Sequence, residues 1–333
     1  MAIRRRLVKR VLEMNIDVPA LDQWDFQINH VEPRGKVYLL ETDSGLKCLK
    51  MRAKTDSEVK ELFLLMEHLA HRGFKNIPRF IRTKFGEPYV KTGNCYYFIY
   101  DWVSGRPVNL QAEDDLGEAA RHLAYLHHSS KGFLPNPEKN AAPVFFNWQR
   151  QFQDIALKIL EAKSKIGEVH YLKNSLHLML ARAAAACKIL KDSGYKALRL
   201  QAQKEAGFCH GAYDHHHIII NNMGEIFVSG FDEWVRDIRL KDLAGFIYLV
   251  GKANDWNSEM MLRVVANYDS SFALYPAELE IIQAYICFPF EYWELLKQIR
   301  QQLIKPGDIQ EQADKYLELD EAKQRCLGEM ARW

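Results

Sequence analysis

The chain has 333 residues, of which 48% are hydrophobic and 26% charged, so one large or two medium-sized lobes are expected and a mainly disordered protein is excluded. Its 45 Lys and Arg residues nearly balance its 43 Asp and Glu residues, and the net charge of +2 argues against a nucleic-acid partner. The six cysteines form no C-x-x-C pair, and neither a signal-peptide pattern nor an apolar run of about 18 residues occurs, so we expect reduced thiols, no membrane span and folding in the cytoplasm.

The first hundred residues predict a small N-terminal lobe, residues 1–100, that is rich in β-strands. Residues 1–13 have the basic and apolar pattern of an amphipathic helix. A second helix is predicted to begin after Asp56 or Ser57, either of which can cap it, and to end near Gly73. Five strands of an antiparallel sheet are predicted at 26–28, 36–42, 46–51, 87–91 and 95–100.

The turn-rich residues 101–107 predict a hinge, and residues 108–333 predict a larger, mainly helical C-terminal lobe. A brief pair of strands is predicted at 218–220 and 226–228. Helices are predicted at 115–128, 148–164, 171–192, 240–252, 258–268, 277–285, 292–303 and 309–329. This outline is typical of kinase-like phosphotransferases, although an outline alone does not establish an activity.

One segment of the C-terminal lobe gives more specific information. Residues 208–220 read FCHGAYDHHHIII and residues 222–232 read NMGEIFVSGFD, which resembles the catalytic hairpin of aminoglycoside and choline kinases. Separate stretches, among them GLKCLK at 45–50 and DWVSGR at 101–106, narrow the resemblance to the CotS-like spore coat proteins of endospore-forming bacteria. The resemblance implies an α+β, protein-kinase-like fold of two lobes, with the catalytic hairpin at 208–232.

The same resemblance implies roles for residues that bind nucleotide in active relatives. Lys50 ends the third strand and is expected to place its ammonium on the nucleotide phosphates. Glu61 is its expected partner, with Glu58 and Glu67 as alternatives on the same helix. The full set of candidate nucleotide-binding residues is Lys50, Glu61, Tyr100, Asp101 and Val103.

The hairpin departs from the family pattern at three polar positions. The pattern is His-Gly-Asp followed five residues later by Asn, but this chain has Ala212 where Asp orients the substrate hydroxyl and His217 where Asn holds metal. Gly230 stands where a second metal-binding Asp is expected. Loss of a general base alone costs about 100- to 10,000-fold in rate, and loss of the metal removes further stabilisation of the transition state. We therefore predict negligible phosphotransfer.

Nearby polar residues leave two metal sites open as alternatives. Asp214 and Asp232 are displaced carboxylates that could hold a metal in a surviving kinase. His215, His216 and His217 cannot all face one ion, because adjacent residues of an extended loop point in alternating directions. His215 and His217 could still form a weak divalent-metal site with Asp214 or His210. We favour a polar loop without metal.

Two further residues of this region are predicted to be structural. His210 is expected to hydrogen-bond the loop backbone, and Asp242, at the start of a helix, is expected to accept N–H groups from the hairpin. Retained structural residues beside lost chemical ones indicate a pseudokinase.

The sequence thus predicts a structural or assembly component of the endospore coat, made in the mother-cell cytoplasm and deposited in the coat. Its expected partners are other coat proteins, and no cofactor is expected. Large aromatic and Arg side chains suit protein interfaces, and the candidate contact residues are Trp102, Arg106, Trp148, Tyr275 and Tyr292. The alternatives are a small-molecule or protein kinase that uses ATP and magnesium, and a pseudokinase that binds nucleotide without transfer.

Overall fold

The computed structural model describes residues 14, 16–134, 145–166 and 172–330, so the basic helix predicted at 1–13 lies outside the described residues. The contacts between residues divide the chain into two compact units. The first unit comprises 1–107, 133–140 and 216–232, and the second comprises 108–132, 141–215 and 233–333. A small antiparallel sheet lies in the first and most helices lie in the second, which confirms the predicted α+β class.

The first unit contains a five-stranded antiparallel sheet with the order β1-β2-β3-β5-β4. Its strands are β1 (Ile28–Arg34), β2 (Val37–Thr42), β3 (Gly45–Arg52), β4 (Val90–Thr92) and β5 (Cys95–Asp101), and its helices are α1 (Val18–Leu21) and α2 (Asp56–His71). Three neighbouring strands place Leu40, Leu49 and Ile99 in the core, where all three are fully buried. Burial alternates along β3, whereas five successive residues of the inner strand β5 are buried.

Helix α2 begins one residue earlier than expected. Thr55 is the N-cap, so the predicted caps, Asp56 and Ser57, are wrong. The Thr55 side chain accepts a hydrogen bond from the Glu58 N–H at 3.3 Å, and the Glu58 carboxylate accepts one from the Thr55 N–H at 2.7 Å. This reciprocal capping box satisfies two backbone donors at once, whereas a lone Asp or Ser cap satisfies one.

A second sheet of three strands completes the first unit. Its strands are β6 (Gly105–Pro107), β7 (Ile218–Asn221) and β8 (Ile226–Val228), in the order β6-β7-β8. The residues of β6 fall in the segment that the sequence indicates as a hinge, and they form a strand because they pair with β7, more than a hundred residues later in the chain. A three-residue strand has no periodicity that a sequence pattern could reveal.

The second unit is helical. Its helices are α3 (Glu113–Ser130), α4 (Trp148–Ile166), α5 (Leu172–Asp192), α6 (Tyr195–Glu205), α7 (Leu240–Ala253), α8 (Ser258–Ser271), α9 (Pro276–Cys287), α10 (Phe290–Arg300) and α11 (Pro306–Met330). Helix α3 packs on α8, α4 on α5, and α9 on both α5 and α7. Helix α6 was not predicted, because Tyr195 is its only buried residue and it therefore lacks an apolar stripe.

Two of the aromatic residues proposed as partner contacts lie in the core instead. Trp148 and Tyr292 are each 1% exposed, so the prediction is wrong for both. The Trp148 ring stacks against Tyr195, and its Nε1–H donates to Asp237 Oδ2 at 2.8 Å. Tyr275 is 68% exposed and remains a contact candidate. Within the part of the chain that the structure describes, no helix combines the length and apolar character needed to cross a bilayer.

Candidate functional site

The catalytic-hairpin segment, residues 208–232, is divided between the two units. Residues 208–215 belong to the second unit, and residues 216–232, with β7 and β8, belong to the first. Each part has its own set of polar contacts and is described with its own unit.

In the second unit, Asp242 organises the backbone of the segment from the first turn of α7. Its Oδ2 accepts a hydrogen bond from the His210 N–H at 2.6 Å, and its Oδ1 accepts one from the Gly211 N–H at 2.9 Å. The carboxylate is 4% exposed, so these backbone donors have no water to replace it. Asp242 therefore fixes the position of the His-Gly-Ala segment.

The same carboxylate is bonded to His127 at the end of α3. The His127 Nε2 lies 3.0 Å from Asp242 Oδ2, and its Nδ1 lies 2.8 Å from the Tyr268 hydroxyl. Burial lowers the pKa of His127, so the ring is neutral at pH 7 and we assign its proton to Nε2, which then donates to Asp242. Burial acts to raise the pKa of Asp242, but the hydrogen bond from His127 acts together with the Gly211 N–H and the electrostatic influence of His127 and His210, and their combined effect holds that pKa below its usual value.

The chain of hydrogen bonds continues beyond Tyr268. Arg239 donates to the Tyr268 hydroxyl at 3.1 Å and makes a double hydrogen bond with the two carboxylate oxygens of Glu278, each at 2.7 Å. His127 lies near the end of α3 and belongs to no pattern that marks it as part of a site. Only its contact with Asp242, 115 residues away, reveals that it is part of the scaffold.

Gly211 allows the segment to turn beside Glu233. Its φ is +84°, and a Cβ at this position would overlap the Glu233 carbonyl oxygen and lie 2.8 Å from the carbonyl carbon. The His210 Nδ1 accepts a hydrogen bond from the Ala212 N–H at 3.2 Å. The backbone of residues 210–212 is therefore held by Asp242 and His210, and Ala212 presents a methyl group at the position where the sequence pattern led us to expect a carboxylate.

Among the described residues, the ligand atoms of His127, Cys209 and Asp242 lie within 4.8 Å of one another, as in a metal site. Burial raises the pKa of the Cys209 thiol well above its usual value, so the sulfur keeps its proton, and it donates to the Ile238 carbonyl at 3.1 Å. Because Asp242 already accepts three hydrogen bonds, this cluster is a hydrogen-bonded scaffold and fits no metal.

In the first unit, Lys50 forms a buried ion pair with Asp232. The Lys50 Nζ lies 2.6 Å from Asp232 Oδ2, and the two side chains are 13% and 9% exposed. Burial acts to raise the pKa of Asp232, but the Lys50 ammonium outweighs burial and lowers that pKa below its usual value. Lys54 Nζ donates to the Asp232 carbonyl at 3.3 Å. The second carboxylate oxygen, Asp232 Oδ1, is buried and accepts no hydrogen bond.

The expected pair of Lys50 with Glu61 is therefore wrong. Glu61 accepts a hydrogen bond from the Ser57 hydroxyl at 3.1 Å on its own helix. Glu58 is occupied by Thr55, and Glu67 pairs with Arg79, so neither alternative reaches Lys50. Asp232 takes their place because residues 216–232 belong to the same unit as Lys50. The two residues are 182 positions apart in the chain, so sequence spacing cannot predict their contact.

The other candidate nucleotide-binding residues lie at the end of β5 and after it. Tyr100 is 5% exposed, and its ring centroid lies 5.9 Å from Lys50 Nζ. Asp101 pairs with Lys47 at 2.6 Å, and Val103 is half-buried. Lys50 and Tyr100 are thus brought together, whereas Asp101 is engaged with another lysine.

His217 and Gly230, at the two positions where the resemblance implies metal ligands, both lie in the first unit and are packed against each other. A Cβ at residue 230 would overlap the His217 ring and lie 2.6 Å from its Nε2. Magnesium prefers an octahedral shell of oxygen ligands, which an imidazole and a glycine do not supply. The residues at these positions therefore do not fit the magnesium ion of active kinases, and Asp232 is held by Lys50 instead.

This contact predicts the cost of adding a single methyl group. Gly230→Ala should lower the free energy of unfolding by about 1–3 kcal/mol more than Gly224→Ala, because both residues have a left-handed backbone but only residue 230 meets the imidazole. The values of φ, +84° and +81°, make Gly224 a matched control for backbone strain. Chemical denaturation measures both variants. When His217 is also changed to Ala, the extra destabilisation by Gly230→Ala relative to Gly224→Ala should disappear. If the two glycine substitutions destabilise the otherwise unmodified chain equally, residue 230 is not packed against the imidazole.

The chain is similar in sequence to spore coat proteins. The family described as "Spore coat putative kinase YutH" matches residues 21–330. Spore coat protein S of Bacillus subtilis (strain 168) is 26% identical over 285 residues, which are 81% of this chain and 80% of that protein. The resemblance expected from the sequence is thus confirmed.

Solved structures with the same fold are antibiotic phosphotransferases. An aminoglycoside phosphotransferase from Alicyclobacillus acidocaldarius gives a TM-score of 0.85 at 17% identity, covering 95% of this chain and 96% of that chain. Spectinomycin phosphotransferase in complex with ADP and spectinomycin gives 0.63 at 12% identity, covering 96% and 98%. These similarities confirm the predicted kinase-like fold.

Proposed function

The chain belongs to the YutH family of spore coat proteins, and from this premise we propose that it is a structural component of the bacterial endospore coat that has lost phosphotransfer. In this proposal it is made in the mother-cell cytoplasm, is deposited in the coat and binds other coat proteins. The similarity to spore coat protein S supports the location, and the departures at the catalytic positions support the loss of chemistry.

The observation that carries the loss of phosphotransfer is that Ala212, His217 and Gly230 supply none of the carboxylate or amide oxygens of active kinases. Without a base, the substrate hydroxyl is not oriented or deprotonated, at a cost of about 100- to 10,000-fold. Without metal, the charge that develops on the transferred phosphoryl group is not neutralised. The missing base and the missing metal both raise the energy of the same transition state. The remaining side chains can therefore accelerate phosphotransfer only slightly.

The Lys50–Asp232 pair also supports the loss of phosphotransfer, because it makes nucleotide binding less favourable. In this chain the Lys50 ammonium is already engaged with the largely buried Asp232 carboxylate, so a phosphate group would have to share the lysine with a negative charge that repels it. Nucleotide binding therefore has an added energetic cost in this chain. The spectinomycin phosphotransferase of similar fold binds ADP. For this chain, in contrast, we expect neither ATP nor magnesium as a cofactor.

The retained scaffold explains why the fold persists without the chemistry. Asp242, His127 and Tyr268 are all buried and satisfy one another's polar atoms and those of the hairpin backbone. Such a network stabilises the second unit whether or not a substrate binds. A coat component needs that rigid surface and not a reactive centre.

The purified chain should show no magnesium-dependent formation of ADP from ATP, because both the base and the metal ligands are missing. The measurement is isothermal titration with ATP, with and without magnesium, followed by a coupled turnover assay. Turnover that disappears in both Asp214→Asn and Asp232→Asn, with unchanged melting curves, would establish a kinase that uses displaced carboxylates. ATP binding without turnover would instead establish a nucleotide-binding pseudokinase, and it would contradict only the expectation of no cofactor.

The structural role is tested in the spore itself. A fluorescent fusion of the chain, expressed in an endospore-forming bacterium during sporulation, should co-purify with the coat layer. The variant Ala212→Gly should be deposited equally well, because the role needs no chemistry at this position. A fusion that stays in the mother-cell cytosol would overturn the proposed location.

A further inference from the structure

A cavity of about 380 Å³ lies within the second unit, and helices α6 and α9 contribute to its walls. The rest of the lining comes from the end of α3 and from residues of the segments 237–239 and 272–275. Pockets that hold drug-sized ligands have volumes of about 300–1,000 Å³. The cavity therefore has the size of a site for a small molecule, and it is too small for a helix of another protein.

Helix α6 presents its apolar residues to this cavity. Ala197, Leu198 and Ala202 all line it, and their spacing places them on one face of the helix. This face borders the cavity and does not pack into the core, which explains why Tyr195 is the only buried residue of α6. Further apolar side chains of the lining are those of Phe208, Phe272 and Ile281. A ligand with an apolar body would remove the half-buried Leu198 and Phe272 from water, which favours its binding.

The charged groups of the lining already have partners. Lys131 Nζ lies 2.9 Å from Glu205 Oε2, and Arg239 makes its double hydrogen bond with Glu278 at 2.7 Å. Both carboxylate oxygens of Asp237 accept hydrogen bonds at 2.8 Å, and burial raises the pKa of this group to about 6. A charged ligand of either sign would be attracted by one member of each ion pair and repelled by the other.

The balance of charge in the lining excludes ionic ligands of both kinds. Among the residues that the structure describes, the lining holds three carboxylates and two cationic side chains, so an anion would be repelled. A cation would have to compete for carboxylate oxygens that each accept a hydrogen bond already, as Glu205 Oε1 does from Gln201 at 2.9 Å. An uncharged ligand leaves all of these interactions in place.

We propose that this cavity binds an uncharged, mainly apolar small molecule, with its apolar body against the α6 face and the rings of Phe272 and Tyr275. The site is separate from the catalytic-hairpin positions 212, 217 and 230, which do not line it. It goes beyond the proposed coat function, since it requires neither nucleotide nor another coat protein. His127 and Arg239 line the cavity and also belong to the chain of hydrogen bonds that holds Asp242, so a bound ligand contacts the scaffold of the hairpin.

The test uses the full chain and three probes that share one ring system and differ in charge at neutral pH. These are naphthylmethanol, which is uncharged, naphthoate, which is an anion, and naphthylmethylamine, which is a cation. Isothermal titration and ligand-observed NMR measure their binding. The unmodified chain should bind naphthylmethanol saturably and each charged probe at least tenfold more weakly. Absence of saturable binding of naphthylmethanol, or equal affinity for either charged probe, would overturn the proposal.

A substitution that fills the cavity locates the bound probe. Ala202→Phe places a ring in the cavity from α6 and should weaken the binding of naphthylmethanol at least tenfold. Ala184→Phe, at an exposed alanine of α5 that does not line the cavity, is the matched control and should leave the affinity unchanged. Unchanged affinity in Ala202→Phe would place the ligand elsewhere and contradict the proposal.

A second variant keeps the test decisive if Ala202→Phe does not fold. Tyr275 is 68% exposed, so Tyr275→Ala should leave the melting curve nearly unchanged. Because the Tyr275 ring lines the cavity, its loss should weaken the binding of naphthylmethanol at least threefold, and full affinity in this variant would contradict the proposed site. Failure of the site is distinguishable from failure of the coat proposal, which is decided by ATP turnover and by deposition in the spore.

Discussion

Asp242→Ala should lower the free energy of unfolding of the chain by about 3–5 kcal/mol. The change leaves three buried donors without an acceptor, namely the N–H groups of His210 and Gly211 and the Nε2–H of His127. Each buried donor left unsatisfied costs about 1–3 kcal/mol, and part of the loss is recovered when water enters the space. Urea denaturation followed by tryptophan fluorescence measures the change.

Glu280→Ala is a matched control for Asp242→Ala. Glu280 is an exposed acidic residue of α9, and among the described residues its side chain forms no hydrogen bond or ion pair. Its substitution should change stability by less than about 0.5 kcal/mol, as surface substitutions usually do. If both variants unfold at the same urea concentration as the unmodified chain, Asp242 is not the organiser of the hairpin.

The Asp242 contribution should depend on pH in a defined direction. Its pKa is lower in the folded chain than the value of 3.8 expected when unfolded. Its stabilising contribution is therefore fully present above about pH 4 and is lost as pH falls through the lower, folded-state pKa. The difference in stability between the unmodified chain and Asp242→Ala should consequently shrink on acidification below pH 4.

Lys50→Met should lower the free energy of unfolding by about 3 kcal/mol at pH 7, because it leaves Asp232 as a buried charge without its counter-ion. This expectation differs from that of a solvated lysine at a strand end, whose loss would be nearly neutral. Lys36→Met, at an exposed lysine of the same unit, is the control and should be nearly neutral. Thermal and urea denaturation of the purified variants measure the effect.

A second substitution identifies the partner of Lys50. In the double variant Lys50→Met and Asp232→Asn, the buried charge is removed, so the pair of changes should cost less than the sum of the single changes. Acid should also reduce the cost of Lys50→Met, since protonation of Asp232 removes the same charge. Strict additivity of the two substitutions would mean that the ion pair contributes nothing to stability.

Local pattern was sufficient to predict most elements of the fold. Alternating burial in β3 and the apolar faces of α2 and α7 recur at fixed spacings along the chain, so the type of each element follows from neighbours a few residues away. The elements that were not predicted, α1, β6 and α6, are short and lack such a face. Strand β6 forms because it pairs with β7, a distant segment of the chain.

The residue types at the positions that the resemblance marks as catalytic were likewise available from the sequence. Ala212, His217 and Gly230 stand at fixed distances from the His-Gly pair at 210–211, so their identities could be read without coordinates. The arrangement around them could not. That the His217 ring occupies the space above Gly230 depends on how the backbone turns.

The sequence by itself determined the α+β fold, the family resemblance and which residues stand at 212, 217 and 230, since each depends on residue identity and short spacing. Only the tertiary structure decided which polar groups pair. Lys50 pairs with Asp232, which is 182 residues away in the sequence, and His127 pairs with Asp242, which is 115 residues away. In an unfolded chain the nearer Glu61 would have satisfied Lys50, and the solvent would have satisfied His127, equally well. The physical reason is burial: once a charge is removed from water, the partner that shares its buried site stabilises it far more than one that is merely close in sequence.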